Sequence, residues 1–107
     1  MKVKEKGHTV IITQASEAVT DFLDKLTAEY AQFKDKNLII DLSGENTSDV
    51  QLFDSLSEKH RNNKKSFVLV MNHADIDDLE DDIIIVPTLQ EAHDVIEMEE
   101  IERDLGF

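Results

Sequence analysis

A chain of 107 residues carrying 24 Asp and Glu against 11 Lys and Arg has room for one hydrophobic core, because a chain this size buries only roughly two thirds of its unfolded surface. Its 40% hydrophobic content, three glycines and one proline are those of a packed domain and exclude a disordered one. The absence of cysteine excludes disulfides and any thiol-based redox, nucleophilic or zinc chemistry, and the formal charge of -13 disfavours nucleic acid as a direct ligand.

The charge is unevenly distributed. Residues 1–73 hold 10 Lys and Arg against 11 Asp and Glu, whereas residues 74–107 hold 13 acids against Arg103 alone. Such a surface suits either a solvated face that keeps a small domain soluble or contact with a basic protein partner. No apolar run approaches the roughly 20 residues that span a bilayer, and MKVKEKGHTV lacks the apolar core of a signal peptide. A cytoplasmic location without a membrane span is the expectation.

In chain order, KVKEK, a turn at Lys6 and Gly7, and HTVIITQ read as a hairpin in which Val10, Ile11 and Ile12 enter the core. Ser16 then precedes a helix over 17–33, whose Val19, Phe22, Leu23, Leu26, Tyr30 and Phe33 recur at three- and four-residue steps and line one face. NLIIDL is too short for a helix and apolar enough to be buried on both sides of a sheet. After a polar corner, Ser48 and Gln51 have capping-box spacing and open a second helix through Phe53, Leu56 and His60, which RNNKK ends with cations at the negative end of the helix dipole.

SFVLVM is the next strand, HADIDDLEDD a polar connection with one helical turn around Ile76 and Leu79, and IIIVP the last strand. Thr88 and Glu91 form a second capping-box pattern that opens a helix from Leu89 to Leu105, with Gly106 as terminator. In that helix Leu89, Ala92, Val95, Ile96 and Met98 are expected on the sheet, while Ile101, Leu105 and Phe107 extend the apolar positions beyond it. Glu97, Glu99, Glu100, Glu102 and Asp104 crowd the end that the dipole makes unfavourable for anions, with Arg103 placed to pair Glu99 or Glu100. That end is expected to fray, and either folds back on its own domain or docks a basic partner or a second copy. Apolar strands alternating with helices imply a single α/β domain over 1–107: a mostly parallel sheet of four strands plus an antiparallel N-terminal edge strand.

Motifs for catalysis are sparse. His8, His60, His73 and His93 sit singly in separate elements, so no metal site is expected, and the acids of 75–82 lack the glycine and late glutamate of a calcium loop. No phosphate-binding glycine loop or dinucleotide fingerprint occurs. A phospho-receiver site built on Asp41 would need an acidic pair after the first parallel strand, where Thr13, Gln14 and Ala15 stand instead. Asp41 is better read as accepting backbone amides of its own loop.

The order of elements, together with Asp41, Leu42, Ser43 and Gly44 at a strand end, Asp49 beyond them, and Pro87, Thr88, Leu89, Glu91 and Ala92 near the carboxyl terminus, resembles a STAS domain, the fold of bacterial anti-sigma factor antagonists and of sulfate transporter tails. In the antagonists the residue after that Asp is a Ser or Thr phosphorylated by the anti-sigma kinase. Here it is Val50, followed by Gln51 and Leu52 where small residues are usual, so the phosphosite is degenerate. Ser43, Thr47 and Ser48 lie close by, but Ser48 is explained as a cap, and Glu45 and Asp49 would repel a phosphate.

The resemblance implies a non-catalytic, protein-binding regulatory module without a cofactor, monomeric or weakly dimeric. Its partner would be an anti-sigma factor of the histidine-kinase-like ATPase class or another component of a regulatory complex. Crevices at the carboxyl ends of strands are where α/β sheets receive ligands. The candidate partner contacts are therefore Ser43, Gly44, Glu45, Asn46, Thr47, Ser48, Asp49, Val50, Gln51, Leu52 and Phe53. Read plainly, the same corner is an ordinary strand-to-helix connection. The alternative function is a small hydrolase or nucleotide-binding protein using the crevice near Asp41 and Asp49; a purely structural accessory domain is a third reading.

Overall fold

The hairpin opens the sheet as expected. In a computed structural model that describes residues 1–15, 18–42, 52–71 and 83–106, β1 (Lys2–Lys6) pairs antiparallel with β2 (Thr9–Thr13), Lys6 opposite Thr9. Gly7 takes φ +61°, a conformation that glycine adopts at no steric cost in a two-residue hairpin loop. All five residues of β1 are exposed, and its lysines suit it to be an edge, where unpaired backbone groups would otherwise invite another chain.

From β2 onward the strands run parallel: β2 with β3 (Asn37–Asp41), β3 with β4 (Phe67–Val70) and β4 with β5 (Ile84–Val86), in the order β1-β2-β3-β4-β5. The continuous apolar runs are buried on both sides because side chains alternate across the sheet. Val10, Ile12, Leu38, Ile40, Phe67 and Leu69 face one layer, whereas Ile11, Ile39, Val68 and Val70 face the other.

Two crossovers stepping in one direction put their helices on a common face. There α1 (Val19–Glu29) contributes Phe22 and Leu26, and α2 (Asp54–Asn62) contributes Leu56. The α1 segment is shorter than the expected helix: it tightens into a 3-10 turn over Tyr30–Gln32, which turns Tyr30 and Phe33 inward and releases the chain toward β3. Each large side chain buried in this way stabilises the fold by about 1.5–3 kcal/mol relative to exposure.

The opposite layer is α3 (Leu89–Asp104), packed on β3, β4 and β5. Thr88 Oγ1 accepts the Glu91 amide at 3.2 Å, as its capping position predicts, and Gly106 closes the end at φ +82°. Ala92 and Ile96 are buried and Val95 half-buried, but Leu89 and Met98 are not on the sheet, Met98 being 64% exposed. One 3.6-residue period cannot point 95, 96 and 98 the same way, and the sheet selects 92 and 96.

Candidate functional site

Parallel pairing delivers the carboxyl ends of β2, β3, β4 and β5 to one rim. Backbone bonds lace that rim together: the Gln14 amide donates to Asp41 O (3.1 Å), Leu42 to Val70 O (2.9 Å) and Met71 to Val86 O (3.0 Å). Leu42 and Met71 are buried, so the chain leaves β3 and β4 from anchored positions, with Asp41 half-buried at the end of β3.

Of the candidate contacts on this rim, Ser43, Gly44, Glu45, Asn46, Thr47, Ser48, Asp49, Val50 and Gln51 lie outside the described residues, as do the Ser48–Gln51 cap, the degenerate phosphosite at Val50 and the acids of 75–82. The two that are described separate sharply. Leu52 is 41% exposed, whereas Phe53 has no exposed surface and packs its ring 6.2 Å from that of Phe22. Phe53 thus belongs to the core and not to a contact surface, because positions 53, 56 and 60 share the inward face of the helical period.

Of the four histidines, His73 lies outside the described residues and the other three stand in separate parts of the fold. His60 is buried between the rings of Tyr30 (5.6 Å) and Phe67 (6.2 Å), while His93 lies half-buried on α3. Burial, reinforced by Lys6, holds the His93 imidazole below its ordinary value against the opposing pull of Asp94. Among the described residues no group of three or more His, Asp or Glu is placed to hold a metal ion.

The opposite rim, where β3 and β4 begin, carries a polar assembly that sequence reasoning missed. Asn37 is almost wholly buried, and its Oδ1 accepts the Ser66 amide (3.0 Å) and Arg103 Nη2 (3.3 Å) while its Nδ2 donates to Glu100. Arg103 Nη1 also donates to Ser66 Oγ at 3.2 Å. Arg103 therefore bonds the sheet, where pairing with Glu99 or Glu100 was expected; Glu99 meets Arg61 of α2 instead, at 3.4 Å. The end of α3 expected to fray is tied to both β3 and β4. A small polar residue immediately before two apolar runs, Asn37 before LIID and Ser66 before FVLV, is the one sequence signal of this lock.

No protein-family model matches the chain, and no curated protein matches it. No helix among the described residues is long and apolar enough to cross a membrane. Of the candidate contacts that are described, Leu52 alone presents exposed apolar surface.

Proposed function

We propose that the protein is a non-catalytic binding module that receives a protein partner at the carboxyl rim, between the end of β3 and the start of α2. The observation that carries this reading is the contrast at Leu52 and Phe53: one leucine is held outward by a neighbour locked into the core. A leucine fixed on a rigid support loses little conformational freedom on docking, and so contributes most of its apolar burial to affinity. The mixed sheet with its antiparallel edge supports the STAS-like reading of the sequence. That reading names a cytoplasmic anti-sigma factor or related ATPase as the partner and needs no cofactor.

Affinity capture from native lysate, repeated with two variants, tests the proposal. Leu52→Asp is expected to leave folding within about 0.5 kcal/mol of the parent and to reduce recovery of a stoichiometric partner at least ten-fold. Phe53→Ala should cost about 3–5 kcal/mol of stability through the cavity it opens. Incubation with ATP and a captured kinase should leave the intact mass unchanged, given valine at position 50. Partner recovery unaffected by Leu52→Asp would overturn the assigned surface. Turnover of a small molecule that is lost in a folded Asp41→Ala variant would overturn the non-catalytic reading.

A further inference from the structure

Although the chain carries a net charge of -13, one depression at the amino rim is lined by cations. A cavity of about 430 Å³ is bounded by Arg61, Lys64, Lys65, Arg103 and Gly106, with no acid among its described lining residues. It lies where α2 and α3 both end, at the opposite end of the strands from the rim proposed for partner docking.

Two of the four cations are held in place. Arg61 donates Nη2 to Phe67 O (3.2 Å) and Nη1 to Glu99, and Arg103 is fixed by Ser66 and Asn37. The ammonium groups of Lys64 and Lys65 have no ion pair among the described residues. Lys64 is also backbone-strained. It occupies the left-handed position that closes α2, at φ +63°, with its amide on Arg61 O and the Lys65 amide on His60 O. Glycine is the usual occupant there, because a side chain costs free energy in that conformation. A strained lysine beside a cationic cavity points to a use for its side chain.

Cations also accumulate at helix carboxyl ends simply to balance the dipole, and the conformation of Lys64 separates the two explanations. Glu99 neutralises one of the four charges, and the ends of α2 and α3 together contribute about one negative charge. That balance does not call for a lysine in the left-handed conformation at position 64, where glycine would close the helix without strain. Glu100 and Asp104, with His8 and Asn37, line an adjoining depression that shares Lys65 and Arg103 with this one, and neither acid forms an ion pair with those cations among the described residues.

We propose that this cavity binds a phosphoryl dianion, held by Lys64 and Lys65 and oriented by the two guanidinium groups. The ammonium groups of Lys64 and Lys65, without an ion pair among the described residues, suit anionic oxygens, arginines present donors in a fixed fork suited to phosphate oxygens, and the volume admits a small phosphate monoester.

A heteronuclear NMR titration of the full chain with inorganic phosphate, and separately with adenosine monophosphate, at ionic strength held constant with sodium chloride, tests the site. Saturable shifts are expected at the amides of Lys64, Lys65 and Gly106. A Lys64→Gly/Lys65→Gln variant should bind about ten-fold more weakly for each charge-assisted bond removed, whereas Lys25→Gln on α1 should titrate like the parent. Tighter binding of the nucleotide would identify an organic phosphate monoester as the ligand, and equal binding would identify free phosphate; either supports the site. Absent shifts, shifts reproduced by chloride alone, or a folded double variant that titrates like the parent would overturn it. Since the site is remote from Leu52, its failure would leave the partner-docking reading untouched.

Discussion

His60 Nδ1 lies 2.8 Å from the Tyr30 hydroxyl, and the other ring nitrogen, Nε2, lies 2.7 Å from the Lys36 carbonyl. A carbonyl only accepts, so Nε2 carries the proton and Nδ1 accepts from the Tyr30 hydroxyl, whose oxygen in turn accepts from Asn63 Nδ2 at 3.1 Å. This chain of bonds joins the ends of α1 and α2 to the start of β3, and every member is satisfied with the imidazole neutral. Burial raises the Tyr30 phenol above its ordinary value, with Asp35 adding to the shift and the Asn63 bond opposing it.

Acid should release this lock. Burial, with Lys65 and Arg61 adding repulsion, lowers the His60 pKa to about 4 against the opposing bond to Lys36 O. An unfolded histidine titrates near 6.5, so the unfolded chain takes up the proton first as pH falls. The contribution of His60 is complete above pH about 6.5, declines as pH drops toward about 4, and amounts to on the order of 3 kcal/mol across that window. Urea unfolding of the parent and of His60→Gln at pH 7.5 and pH 4.5 checks the sign: the parent should lose more stability between the two than the variant. Equal losses would show that His60 does not titrate in this way.

Lys64 makes the reverse prediction, a substitution that strengthens the fold. Lys64→Gly relieves the left-handed side chain while keeping both bonds that close α2, and should raise the unfolding free energy by about 0.5–1 kcal/mol. Thermal denaturation with calorimetric analysis measures it. A more stable variant that binds phosphate more weakly would separate the cost of the lysine from its use, since loss of structure could not then explain loss of binding.

The lock at the amino rim sets a third expectation. Asn37→Ala leaves the Ser66 amide and the facing Arg103 and Glu100 groups short of partners in a buried place, and should cost about 2–3 kcal/mol. Arg103→Ala should act more locally, speeding amide hydrogen exchange in the last two turns of α3 by more than in α1 or β3. Uniform acceleration across the whole chain would show that Arg103 supports the global fold and not the helix end.

The layered α/β architecture was legible in the residues because its signals are local. Runs such as LIID and FVLV declare strands buried on both faces, the Phe22–Leu26–Tyr30 spacing declares a helix, and Gly7, Thr88 and Gly106 mark turns and caps by their own backbone requirements. Phe53, Met98 and Arg103 were misread for a common reason: which face a side chain presents, and which distant group it reaches, depends on elements far away in the chain. Arg103 had two glutamates within helical reach, yet Asn37, 66 residues earlier, holds its guanidinium, because both glutamates are engaged elsewhere, Glu99 by Arg61 and Glu100 by the Asn37 amide. The gathering of Arg61, Lys64, Lys65 and Arg103 around one cavity is likewise a product of tertiary structure. Three of these cations stand within five residues at the end of α2, but only the return of α3 across the sheet brings the fourth and closes the wall.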